Sequence, residues 1–112
     1  MILHNYLSNS GRDLIYEYIN SLPEAEKIDG YTVLQHMEKG EFEKILFKRW
    51  EKKVYEVYFQ KNNRVFYITV DKENIYLLHS CRKQKNKTEK KDANIVRKRA
   101  KELGNMLGRK FI

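Results

Sequence analysis

The sequence predicts an α+β fold: an N-terminal helical hairpin packed on a small, twisted, mainly antiparallel sheet, followed by a basic C-terminal helix. Three observations predict it. Apolar residues recur at helical spacing as far as Gly40. Between residues 44 and 80 the period falls to two. Beyond Thr88 the helical spacing returns, now among lysines and arginines.

A chain of 112 residues has room for one domain with one modest core, expected to span 1–112. Apolar residues at 41%, with eight Tyr, five Phe and one Trp, supply that core. Residues 1–7 turn polar within a few positions and lack the apolar centre of a secretory signal. No apolar run approaches the ~20 residues that span a bilayer. Cys81 is the single cysteine, so no internal disulfide can form, and it reads as a small buried hydrophobe rather than a nucleophile. Together these features lead us to expect a cytoplasmic protein without a membrane anchor.

In chain order, residues 2–7 are expected to form a short first strand, and 8–11 a turn. Ser10 and Asp13 suggest a capping arrangement for a helix whose face is Leu14, Ile15, Tyr18, Ile19 and Leu22. Pro23 suits the first turn of a second helix, and Glu24 and Glu26 complement its positive end. Ala25, Ile28, Tyr31 and Leu34 are its expected apolar stripe. Gly30 weakens it and Gly40 stops it.

Strands are expected over 44–50, 54–60, 64–70 and 75–80. The second places Tyr55, Val57 and Phe59 on one face and Val54, Glu56 and Tyr58 on the other. Polar turns at 61–63 and 71–74 join the last three strands into an antiparallel meander. The final helix is expected to start at an N-cap Thr88 and to reach about Leu103, with Gly104 marking its end. Its stripe is Ala93, Val96, Ala100, Leu103 and Leu107.

The charge is uneven. Residues 1–78 hold 11 Lys/Arg against 12 Asp/Glu, whereas residues 79–112 hold 12 against 3, so the C-terminal third carries the whole net charge of +8. Arg82, Lys83, Lys85, Lys87, Lys90 and Lys91 crowd the hinge between the last strand and the last helix, opposed there by Glu89. A polyanion such as RNA is the natural partner of that cluster.

No motif announces a Ser/His/Asp set, which the sequence leaves open. His4, His36 and His79 are far apart and show no metal-ligand spacing, and the five glycines form no phosphate-binding loop. The remaining chemistry is cationic, with Tyr and His nearby. It suits RNA cleavage, in which a 2′-hydroxyl attacks the neighbouring phosphate. That reaction needs a base, an acid, and cations for the developing negative charge. Arg64, Lys83, Lys85 and Lys87 are the candidate cations, and a lysine crowded by like charges can serve as base. His79 is either an acid or base, or a neutral histidine at a strand end. Aromatics such as Tyr67 offer a face for stacking on a base.

Three segments then carry a resemblance. Ile28, Leu34 and Gly40 match a glycine-ended helical hairpin. Tyr55-Glu56 and Arg64-Val65-Phe66-Tyr67 match a strand pair of the form Y-E-x-R and Y-R-x-x-Y. Leu77-Leu78-His79-Ser80-Cys81-Arg82-Lys83-Gln84-Lys85-Asn86-Lys87-Thr88 matches L-L-H-G-F-x-K-K-x-x-K-T. With the order of elements, these segments resemble the RelE/ParE toxin superfamily, in its phage-type, HigB-like branch, over about residues 10–103. Tyr58 stands where that pattern often has arginine, Ser80-Cys81 replaces Gly-Phe, and Gln84 replaces lysine.

The resemblance implies a toxin of a type II toxin–antitoxin module: a metal- and cofactor-independent endoribonuclease that cuts mRNA on the ribosome and is neutralised by a cognate antitoxin. By position, it implies that Arg64 stabilises the transition state. Lys83 and Lys87 hold phosphate or assist proton transfer, with His79 beside them. Arg82, Lys85, Lys90, Lys91 and Tyr67 are the expected RNA-binding residues. Two other readings use the same residues: a ParE-like inhibitor of DNA gyrase, and a non-catalytic RNA- or ribosome-binding domain.

Overall fold

The computed structural model describes residues 1–83 and 87–112. Its order is β1 (Ile2–Asn5), α1 (Leu14–Asn20), α2 (Glu24–Glu38), a 3-10 turn (Phe42–Lys44), β2 (Leu46–Glu51), β3 (Val54–Phe59), β4 (Asn63–Thr69), β5 (Asn74–Arg82) and α3 (Lys90–Leu107). The fold is α+β, as expected. The strands form one five-stranded sheet in the order β1-β5-β4-β3-β2. All pairings are antiparallel except β1 with β5, where Ile2 lies beside Asn74. The chain's start thus extends the meander from its far edge, leaving β2 as the opposite edge. No described helix is long and apolar enough to cross a membrane.

Each face of the sheet has its own cover. Ile15, Ile19, Val33, Leu34 and Met37 from the hairpin pack on Val57, Phe59, Val65, Tyr67, Ile75 and Leu77. On the other face, Val96, Ala100 and Leu103 of α3 pack on Val54, Phe66, Ile68, Leu78 and Cys81. The basic helix therefore lies across the sheet from the hairpin.

Several local expectations need correction. Asp13 alone caps α1, its carboxylate accepting the Tyr16 N–H at 2.8 Å. In α2, Ile28 is 57% exposed, whereas Glu26, Gly30, Val33 and Met37 are buried. A polar residue can hold an inward position there because Asn63 and Arg82 both donate to Glu26. Glu89, not Thr88, occupies the N-cap of α3 and makes no side-chain cap bond. That helix runs past Gly104 and ends at Gly108, whose φ of 66° is left-handed.

Gly30 is a packing point rather than a weak one. A Cβ there would lie 3.0 Å from Phe59 Cζ and 3.1 Å from Ile19 Cγ2. Overpacking of this kind costs about 1–3 kcal/mol, against roughly 1 kcal/mol gained in helix propensity. Gly30→Ala should lower the Tm by about 5 °C. An unchanged or higher Tm in a thermal melt would refute the close approach.

Candidate active site on the C-terminal helix face

Side-chain alternation along β4 places Arg64 on the same face as Phe66 and Ile68, beneath α3. Across β4 and β5, Arg64 faces Cys81 and Phe66 faces His79. The register then shifts: Tyr67 faces Leu77, so Leu78 has no opposite residue. This bulge lets consecutive residues turn to the same face. Leu78 enters the α3 core, and His79 Nε2 lies 2.8 Å from Asp92 Oδ1 in the first turn of α3.

Glu56 organises the cluster. It is fully buried on β3, opposite Phe66. Lys83 Nζ donates to its Oε1 at 2.8 Å, and Arg64 Nε approaches the same oxygen at 3.2 Å. Arg64 also donates from Nη1 to the Asn63 carbonyl, and its guanidinium lies over the Tyr58 ring at 4.7 Å. Tyr58 thus stacks on the arginine from the position where the resemblance often has a second one. Arg64 is 8% exposed and Lys83 3%. Glu56 Oε2 and Arg64 Nε are buried without a hydrogen-bond partner, so the network keeps polar capacity in reserve. Lys83 meets a carboxylate, not the crowd of like charges expected around it.

A groove of about 470 Å³ reaches Arg64 but not Lys83 or Glu56, and Asp29 and Val33 of α2 form part of its wall. Arg64, Tyr58, Lys44, Lys61 and Asn62 are among its lining residues. It gives Arg64 a route to solvent at the end of the β3–β4 hairpin, where Lys61 and Asn62 both have positive φ.

His79 is tied down at both nitrogens. Arg99 Nη1 lies 3.4 Å from its Nδ1 and donates to the Leu78 carbonyl at 2.8 Å. An arginine can only donate, so Nδ1 is the acceptor and Nε2–H points at Asp92. Burial, with Arg99 and Lys91 nearby, holds the imidazole below its ordinary 6.5, against the opposing pull of Asp92. His79 lies within β5 rather than at its end, held between Asp92 and Arg99 of α3.

Folding therefore disfavours protonation of His79. Its contribution is complete above the ordinary imidazole range near 6.5 and is lost as pH falls through the lowered value, because the unfolded chain binds the proton more readily. Thermal melts from pH about 7.5 to about 5.5 should show Tm falling with acidification, and His79→Asn should flatten that slope. An equal slope in the variant would remove His79 from the account.

Cys81 is buried and its thiol is pushed up to about 12, chiefly by burial and then by Asp92. His79, Cys81 and Asp92 bring donor atoms within 4.8 Å of one another. That trio could hold a metal by geometry alone, and histidine spacing gave no sign of it. Its donors have other partners: imidazole meets carboxylate, and Lys83 and Arg64 stand beside the thiol. We assign no metal to it.

The remaining candidates divide by face. Tyr67 is 2% exposed, in the core beneath the helical hairpin, across the sheet from Arg64. It cannot stack on a base held at Arg64, which corrects its expected role in RNA binding. Arg82 also turns to the hairpin side, where its Nη2 donates to Glu26 at 2.6 Å and its Nη1 to the Lys61 carbonyl. Lys87, Lys90 and Lys91 are exposed before and at the start of α3. Lys85 lies outside the described residues.

Sequence reasoning assigned no role to Glu56, Asp92 or Arg99. A signal existed for the first: Glu56 alternates with Val54 and Tyr58, and a carboxylate on a covered strand face requires a cation.

A family model described as Phage derived protein Gp49-like (DUF891) matches residues 17–101. The match includes Glu56, Arg64, His79, Lys83 and Asp92. No curated protein matches the chain significantly.

Proposed function

The chain belongs to the Gp49-like family, a RelE/ParE-like toxin family associated with toxin–antitoxin systems, and from that premise we propose that it is an mRNA endoribonuclease acting on the ribosome and restrained by an antitoxin. The observation that carries this reading is the single buried carboxylate of Glu56, which pairs with both Arg64 and Lys83, while Arg64 itself lines a groove open to solvent. Two cations fixed by one carboxylate leave a net positive charge, preorganised where a phosphorane would develop its negative charge.

In the proposed reaction, the 2′-oxygen forms a bond to phosphorus while the bond from phosphorus to the 5′-oxygen breaks. The 2′-hydroxyl gives up its proton and the leaving oxygen gains one. A cyclic phosphate and a 5′-hydroxyl result, with no metal in the scheme. Arg64 stabilises the phosphorane. Lys87, exposed before α3, holds the phosphate and assists proton transfer, Lys83 adds its charge from behind Arg64 through Glu56, and Lys90 and Lys91 attract the flanking backbone. Glu56 and His79 are positioning residues: the first fixes the two cations, and the second ties β5 to α3.

Inducing the protein in cells tests this reading. Loss of full-length mRNA and arrest of translation without a DNA-damage response supports it. A DNA-damage response with intact mRNA identifies gyrase as the target instead. Salt-sensitive RNA binding with neither effect identifies a non-catalytic binding domain.

A further inference from the structure

We propose that β2 and the aromatic pocket beside it form a docking site for an extended, acidic protein segment, which adds to the sheet as a sixth strand. This inference goes beyond the nuclease reading and stands without it. β2 is the sheet's edge, so among the described residues one side of its backbone lacks a neighbouring strand. An edge with free N–H and C=O groups is a template for another chain. Leu46 and Phe47, 62% and 41% exposed, make this edge unusually apolar.

The pocket lies on the hairpin side of the sheet. Phe42, Phe47, Tyr55 and Tyr67 line it with ring centroids 5.6–6.4 Å apart, around about 590 Å³. These rings are tilted or edge-on to one another rather than laid out as parallel platforms, which suits an inserted side chain better than stacked bases. Arg49, Lys52 and Lys53 also line it, and Lys48 projects from the other face of β2. Among the described residues, none of these four cations has an ion-pair partner, and the pocket lining includes no carboxylate. An extended peptide uses all three features at once. Its backbone pairs with β2, an apolar side chain enters the pocket, and its carboxylates meet the cations. A nucleic acid would satisfy the charge but leave the strand edge unpaired. The aromatic pocket lies across the sheet from Arg64 and Lys83, whereas Leu46 at the start of the edge also lines the groove that reaches Arg64, so a strand along the whole of β2 borders that groove.

The test uses the full chain and a fluorescein-labelled extended peptide in which Glu flanks one Phe two residues away on either side, so that the Phe and its carboxylates share the pocket face. Fluorescence anisotropy should show binding, and NMR shift changes should fall on β2 and the pocket. Phe47→Ala, and separately Arg49→Glu with Lys53→Glu, should each weaken binding by about tenfold or more. These side chains are exposed, and melts would verify folding. Peptides N-methylated on one or the other alternate set of amides should differ, because only one set faces β2. Absence of binding, equal binding of both methylated peptides, or tighter binding of single-stranded oligouridylate at the same residues would each overturn the proposal.

Discussion

Glu56→Ala should destabilise the protein by about 3–5 kcal/mol, as removing one partner of a buried ion pair typically does. The carboxylate is fully buried, with Lys83 at 2.8 Å and Arg64 at 3.2 Å. Without it, two cations remain in an apolar layer beneath α3. Native domains are stable by only about 5–15 kcal/mol, so the loss is a large share of the total. The stabilisation lies in compensating the cations, not in the carboxylate itself. Replacing Glu56, Arg64 and Lys83 together by Leu, Met and Met should therefore recover most of the loss. Urea denaturation measures both effects. A single Glu56→Ala variant as stable as the wild type would show that Arg64 and Lys83 do not depend on Glu56.

Arg64→Ala should reduce mRNA cleavage by about 100- to 1000-fold, the usual cost of removing one well-placed transition-state donor. Its effect on folding should be smaller than that of Glu56→Ala, because Lys83 still pairs with Glu56. Arg64→Lys should not restore the rate. A lysine lacks the planar fork that lies over Tyr58 while reaching both Glu56 and the Asn63 carbonyl. A rate constant measured at saturating ribosomes separates catalysis from binding. Wild-type cleavage in a folded Arg64→Ala variant would remove Arg64 from the reaction.

Local periodicity exposed much of the architecture. The stripe of α3 was readable because Ala93, Val96, Ala100 and Leu103 fall at helical spacing and all are buried, the last three in the core against one sheet face. The alternation along β3 correctly separated Val57 and Phe59 from Val54 and Glu56. The stripe of α2 was misread because its inward face includes Glu26 and Gly30, which no apolar pattern marks. Burying Glu26 depends on partners 37 and 56 residues away.

The candidate site was legible in composition but not in arrangement. Arg64 and Lys83 stand out in sequence, yet their meeting depends on Glu56 lying across β3 from β4, and on β5 lying beside β4. One residue altered the geometry around His79. Because Leu78 is bulged, His79 faces α3 and pairs with Asp92. Strand parity cannot anticipate such an extra residue. Tyr67 shows the same limit from the other side: its motif position suggested a binding role, while its strand position directs it into the core under the hairpin.

The most direct test of the proposed activity is primer extension on mRNA incubated with purified protein, with and without programmed ribosomes, alongside the Arg64→Ala variant. The account predicts cuts within the ribosome-bound message that require ribosomes, need no added metal beyond the ribosome's own requirement, and fade in the variant. Intact message in every lane, at protein concentrations that arrest growth in cells, would contradict it.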